Sequence, residues 1–419
     1  MRSGLLRLLG RSLLMTTVCA VAACSSGPGR TQRPASAGAS GPVQVPGCST
    51  QVAAGPGLSE RQPALVSVPG SPTGVAASPD GRWAFAALSQ NGYGGDPRLA
   101  VLAVRTVASG RRLALVRVIK LPPPLTAAWG MSVSPDGRLL LVAGGSGTAV
   151  LSLSKVVSGA ADPVLGVLSD GGPAAFEAAP SSNGHYAFVT DEDSGDLYVF
   201  NLALALQRGF DASGVRIGAV PLASGAVGIA TSPDGTLIYV TTYGQAGPYG
   251  RLWVIDAARA ERAAGRGAVV ASTAAGCQPV RVALSDDGRV AWVTALQSNA
   301  VLAFDTATLR QHRSGALRAV VHVGSEPVGL VVVNGGSTIL ATDSDRGLVA
   351  PSSGLANVSV ISTEAALARR PALLGVLPAG SFPRELSYDS ADNTILMSNF
   401  GSATVQMFGV PAAGGAQGT

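Results

Sequence analysis

The chain predicts an all-β fold, a seven-bladed β-propeller whose N-terminal strand closes the last blade. Three observations carry this. First, a polar turn recurs along the chain: Ser78-Pro79-Asp80-Gly81, Ser134-Pro135-Asp136-Gly137, Ser181-Ser182-Asn183-Gly184, Ser232-Pro233-Asp234-Gly235 and Ser285-Asp286-Asp287-Gly288, then, in weaker form, Asn334-Gly335-Gly336 and Ala391-Asp392-Asn393. A period of roughly 50 residues with several short strands in each marks propeller blades. Second, each turn is flanked by short apolar, β-branched and aromatic runs bounded by Gly, Pro, Asn and Asp, which favours strand over helix. Third, the repeat is out of phase with the chain ends. Ala64 to Val68 precede the first inner strand with no blade of their own, and the last repeat stops at its third strand, Thr404 to Phe408. The first strand therefore supplies the missing fourth strand and covers an edge that would otherwise invite pairing with other chains.

The strands after the turns align as Tyr186-Ala187-Phe188-Val189-Thr190-Asp191, Leu237-Ile238-Tyr239-Val240-Thr241-Thr242, Val290-Ala291-Trp292-Val293-Thr294-Ala295 and Thr394-Ile395-Leu396-Met397-Ser398-Asn399. A hairpin turn leads from each to a further strand, such as Leu252-Trp253-Val254-Ile255-Asp256. Phe188-Val189-Thr190-Asp191 and Tyr239-Val240-Thr241-Thr242, each followed by a turn and a Val-x-Val-Ile-Asp type strand, resemble the YVTN family of β-propeller repeats. The resemblance covers everything outside the N-terminal segment, with departures at Leu141-Val142-Ala143-Gly144 and in an insert from Arg346 to Ala356. It implies the scaffold. For function it implies little, since the repeat is shared by surface proteins and by enzymes of the propeller lactonase type.

Four segments are expected: 1–23 a leader, 24–61 a lipidated cysteine and tether, 62–410 the propeller, and 411–419 a disordered tail. Arg2, Arg7 and Arg11 precede an apolar run from Leu13 to Ala23, the pattern of a secretory signal. The run is too short to span a membrane, which takes about 20 residues. Val21-Ala22-Ala23-Cys24 resembles the bacterial lipobox, which implies a lipid on the Cys24 thiol; an ordinary cleaved signal with an incidental Cys24 is the other reading. From Ser25 to Gly47 the chain is mostly Ser, Gly, Pro and Ala with no aromatic residue. It reads as a flexible tether of ~25–30 Å. Its place would be the cell envelope, anchored on the outer side of the cytoplasmic membrane, or in an outer membrane where one exists.

The formal charge is +5, and loss of the three leader arginines leaves +2. No nucleic-acid footprint or polybasic membrane patch follows, and a monomer touching the membrane only through its lipid is expected. Cys19 leaves with the leader. Cys48 and Cys277 remain as a pair, expected to form a disulfide in an exported protein, with two separate thiols as the alternative.

In a propeller, the outer-to-inner links and the hairpins between second and third strands share one face. Trp129, Asp191, Asp193 and Asp196 fall there. The alternating carboxylates Asp191, Asp193 and Asp196 around Gly195 resemble part of a calcium loop, though without the closing Glu; a solvated turn, which every blade has at this place, is the favoured reading. Otherwise no cofactor is expected. Glu177, Arg281, Arg384 and Glu385 interrupt the apolar starts of inner strands, where a charge needs a partner, water or a ligand. With Trp129 they form a candidate ligand site at the channel mouth, or else a set of salt bridges and packing. No catalytic set is visible: His185, His312 and His322 fall on separate outer parts of the fold. Two functions remain. One is a lipid-anchored platform that binds a protein, glycan or small molecule. The other, implied by likeness to propeller lactonases, is hydrolysis of a sugar lactone or similar ester, with Glu177, Arg281 and Arg384 acting on the carbonyl and the water.

Overall fold

The computed structural model describes residues 41–49, 51–90, 95–107, 110–169, 171–244, 249–347 and 356–411. The leader, Cys24, the tether up to residue 40, most of the blade-six insert and the tail beyond 411 lie outside the described residues. The rest forms seven four-stranded antiparallel sheets. Their innermost strands are Ser71–Ala77, Met131–Val133, Ala175–Pro180, Ala226–Thr231, Pro279–Leu284, Pro327–Val333 and Pro383–Asp389 in blades one to seven. Each inner strand neighbours the next, and the seventh returns to the first. This is a seven-bladed β-propeller.

The second strands are buried on both faces because they lie between adjacent sheets. Phe188 and Val199 of blade three, for example, pack against Ile238, Val240 and Trp253 of blade four. Burying one such large apolar side chain contributes about 1.5–3 kcal/mol, and the pattern repeats around the ring. The polar turns on the opposite face are braced alike. The hydroxyl of Ser134 donates to Asp136 Oδ1 (2.5 Å) and accepts the Leu139 N–H (2.9 Å), and Ser78, Ser181, Ser232 and Ser285 do the same with their own turns.

Ring closure follows the phase of the repeat. Arg61–Ser67 pairs antiparallel with Thr404–Gly409 as the outer strand of blade seven. A second clasp comes from the long outer hairpin of blade one, Arg98–Val107 and Gly110–Lys120. Its Arg111 reaches blade seven, where Nη2 lies 2.7 Å from Asp392 Oδ1.

The structure differs from the sequence reading in two respects. Short helices connect third and fourth strands in five blades: Leu153–Ser158, Leu202–Arg208, Ala257–Arg262, Thr306–Arg310 and Thr363–Leu367. The polar residue ending the third strand, read as a turn former, caps the helix in four of them: Asn201, Asp256, Asp305 and Ser362 each accept the N–H three residues on. The second difference is the segment 41–60, expected as loose tether. It is a strap laid over blades five and six. Val43 and Val45 pack on the core of blade five. Asn299 Nδ2 donates to the carbonyls of Ser49 (2.9 Å) and Gln51 (3.0 Å), and Pro56 and Leu58 exchange backbone hydrogen bonds with Val376. Cys48 is joined to Cys277 by a disulfide with an S–S distance of 1.99 Å. Ordering comes from contacts with residues some 230 to 320 positions away, which local composition does not encode.

Candidate functional site

The inner channel is positioned by a repeated hydroxyl near the end of the second strand. Thr190, Thr241, Thr294, Thr342 and Ser398 each accept an N–H from the inner strand of their own blade: Glu177 (3.2 Å), Gly228 (3.0 Å), Arg281 (3.0 Å), Gly329 (2.7 Å) and Glu385 (3.0 Å). Each also donates to an inner-strand carbonyl of the next blade: Val227 (2.8 Å), Val280 (2.8 Å), Val328 (2.9 Å), Arg384 (3.1 Å) and Thr73 (2.6 Å). The inner strand bulges beside this position, for instance between Ala226 and Ile229, and the hydroxyl takes up the N–H that the bulge leaves unpaired. Blade two has Ala143 instead, and there the Gly130 N–H bonds directly to the Phe176 carbonyl of blade three at 2.9 Å.

One residue per blade is held at this level: Gly74, Gly130, Glu177, Gly228, Arg281, Gly329 and Glu385. Glycine is required where the next blade's backbone is closest. A Cβ on Gly228 would stand 2.2 Å from the Val280 carbonyl oxygen, and one on Gly329 2.5 Å from that of Arg384. Charges occupy blades three, five and seven, with those glycines between them, and they meet. Arg281 bonds Glu385 Oε2 through Nε (2.8 Å) and Nη2 (2.5 Å), and its Nε lies 3.8 Å from Glu177 Oε1. The other Glu177 oxygen accepts the Ile229 N–H at 3.1 Å. Glu177 and Glu385 also line a channel cavity of about 230 Å³ with Ser132 and Ser387.

Two carboxylates around one guanidinium leave the charges unequal. Burial pushes the Glu177 carboxyl up to about 7; Arg281 opposes this and Glu385 adds to it. For Arg281, burial works against the charge, but Glu177 and Glu385 outweigh it and hold its pKa above the ordinary value. Arg281 Nη1 is buried and has no acceptor among the described residues.

Next to this triad an arginine–aromatic cluster extends toward the mouth. Trp129 and Phe176 stack with centroids 5.8 Å apart. The Arg384 guanidinium lies 4.9 Å from the Trp129 ring, 5.7 Å from Phe176 and 5.9 Å from Phe400. Phe400 meets Phe382 at 4.8 Å, and Arg346 lies 5.0 Å over Phe382 while its Nε is 3.7 Å from the buried Glu326. Desolvated cation–π contacts of this kind are worth about 2 kcal/mol each.

Trp129, Glu177, Arg281, Arg384 and Glu385, singled out in the sequence, are thus brought together. Asp191, Asp193 and Asp196 have a different setting. Asp191 is fully buried and both its oxygens serve the local backbone, accepting the N–H groups of Ala174 (2.9 Å) and Ser194 (2.7 Å), while Asp193 is exposed. Among the described residues no group of three or more His, Cys, Asp or Glu is arranged to hold a metal. Phe176, Phe382 and Phe400 were not foreseen, whereas Glu326 and Arg346, where the insert begins, fall on the channel-mouth face, as their positions in the repeat imply. Phe176 and Phe382 adjoin strand starts and read as core, and the positive φ of Glu326 (56°) and Phe382 (49°), each just before a proline, is invisible in sequence.

No protein-family model matches the chain, and no curated protein matches it. Solved structures do. Hydrazine synthase of Kuenenia stuttgartiensis is similar with a TM-score of 0.63 at 14% identity, over 83% of this chain and 98% of that one. The Cps50 (Swd1) β-propeller domain of Myceliophteria thermophila is similar with a TM-score of 0.60 at 14% identity, over the same shares. At this identity the likeness is one of fold, and it places the chain among seven-bladed propellers.

Proposed function

We propose that the protein is a lipid-anchored, extracytoplasmic binding platform that engages its ligand at the channel mouth. The observation that carries this is the buried Arg281, locked between Glu177 and Glu385 yet with one donor left over, beside Arg384 on its aromatic shelf. A donor so placed suits an oxygen acceptor on a ligand or an inserted partner side chain. The leader and the Cys24 motif support export and lipidation, and the strap disulfide suits an oxidising compartment. Kinship with the YVTN repeats rests on the strand motifs, whose Thr or Ser has the blade-linking role described above. The lactonase reading gains no support: no family model points to it, Arg281 is committed to Glu385, and Glu177 is tied to the Ile229 backbone.

Two measurements test the proposal. An alkyne fatty acid fed to a bacterial host should label the full-length chain and not its Cys24→Ala variant. Cross-linking on intact cells should capture a partner or ligand that Arg384→Ala loses at a temperature where the variant, though less stable for want of its cation–π contacts, is still folded; loss of neither label nor partner in these variants would refute it.

A further inference from the structure

A groove of about 810 Å³ runs down the rim between blades one and two. One wall is Arg117 to Lys120 of blade one's outer strand, continued by Leu121 to Pro123; the other is Ser158 to Val164, where the short helix of blade two turns into its outer strand. Between blades five and six the corresponding walls are Ala319 to His322 and Ala366 to Leu373, and the protein's own strap lies there, with Val43, Ala53 and Ala54 lining the space.

Strand register makes the two grooves comparable residue by residue. Arg98 pairs with Lys120, and Ala300 with His322. The next residue, Leu121 or Val323, donates its N–H to the carbonyl of Pro97 (2.9 Å) or Asn299 (3.0 Å). Leu121 is therefore the counterpart of Val323. The Val323 carbonyl accepts the N–H of Ala53 from the strap at 2.7 Å, whereas the Leu121 carbonyl accepts no backbone N–H among the described residues.

The rim chemistry adds a charge. The only two lysines of the chain, Lys120 and Lys155, stand at this groove. Lys120 lines it, 77% exposed and 3.6 Å from Asp96, and Lys155 bonds the carbonyl of Asp162, another lining residue, at 3.3 Å. Val116 (43% exposed) and Leu165 (39% exposed) adjoin the two walls.

We propose that the groove between blades one and two receives an extended peptide segment of a partner protein. The segment runs as the strap does: small or β-branched apolar side chains enter the groove, and an acidic side chain meets Lys120. An exposed strand edge with pockets for alternate side chains binds extended chains in this manner. The site is separate from the channel mouth and does not depend on it.

The test pans linear peptides displayed on phage against the full-length chain, then synthesises those retained. Acylation by an N-hydroxysuccinimide ester reports directly on the groove, since Lys120 and Lys155 are its only side-chain amines. The expected peptides are rich in Ala and Val with an Asp or Glu, and they protect Lys120 from acylation. Their affinity falls roughly tenfold or more when Ala161→Trp fills the groove, as expected from loss of a buried anchor. Lys120→Glu, an exposed change that leaves the fold intact, weakens them as well, and Arg384→Ala does not. Retained peptides indifferent to Ala161→Trp and Lys120→Glu, a failure of every peptide to protect Lys120, or a concentration-dependent dimer abolished by Ala161→Trp would each overturn the proposal, the last by assigning the groove to a second copy.

Discussion

Arg281 of blade five and Glu385 of blade seven, 104 residues apart, are joined across the channel by two hydrogen bonds to a single carboxylate oxygen, at 2.8 and 2.5 Å. Blade six lies between them in the ring and contributes only Gly329 at that level. The bond therefore ties alternate blades together, in contrast to the hydroxyl bridges, which tie neighbours.

Removing one member of a buried ion group leaves the others uncompensated. Arg281→Ala should destabilise the ring by about 3–5 kcal/mol, because Glu177 and Glu385 would face each other without their cation. Replacing all three together, as Arg281→Met with Glu177→Gln and Glu385→Gln, should recover most of that loss. Urea unfolding of the single and triple variants checks the pair of outcomes; equal loss in both would show that packing, and not charge, is what matters there.

Stability should fall as pH rises from mildly acid to mildly alkaline. The Glu177 carboxyl is raised from 4.5 to about 7 and that of Asp343, by burial, from 3.8 to about 8. The folded protein thus retains protons that the unfolded chain releases, so the stabilisation is complete below the unfolded values and is lost as pH passes the folded ones. Glu60, Asp196, Glu261 and Asp389 shift the same way. Glu177→Gln should flatten the decline in unfolding midpoint up to about pH 7, and Asp343→Asn its continuation to about pH 8.

Each bridging hydroxyl serves two blades. Thr241→Val keeps the shape but leaves the Gly228 N–H and the Val280 carbonyl without that partner, and should cost about 1–3 kcal/mol. Thr241→Ser should retain most of the stability. Chemical denaturation of the two variants distinguishes the hydroxyl from the methyl group.

The strap depends on its disulfide. Cys277→Ser, or reductant, should free residues 41–58 for proteolysis and lower stability by about 2–4 kcal/mol, while the ring itself stays folded. Limited digestion followed by mass measurement should show cleavage confined to that segment. Cleavage inside the blades under the same conditions would show that the strap holds the ring together.

Much of this fold was legible because its signals are local and repeated. The Ser-x-Asp-Gly turns carry their own hydrogen bonds, and the out-of-phase first strand revealed the closure at Arg61–Ser67. Glu177, Arg281 and Glu385 stood out as charges in apolar strands, but their meeting depends on ring curvature, which no single repeat encodes. The strap was misread because Gly, Pro and Val suit a tether and a docked extended segment equally. Phe176, Phe382 and Phe400 were hidden among ordinary core aromatics.

Closure by the first strand also fixes an order of assembly. A chain that emerges N-terminus first presents Arg61–Ser67 long before Thr404–Gly409 exists to receive it, and Cys48 before Cys277. Any chain that stops short of residue 404 keeps an open sheet edge at both ends of the ring, and one that stops short of 277 keeps an unpaired thiol at Cys48. Unfinished molecules thus carry two chemical marks of incompleteness that the finished ring conceals, an unsatisfied strand and a reactive sulfur, on which folding helpers and proteases can act.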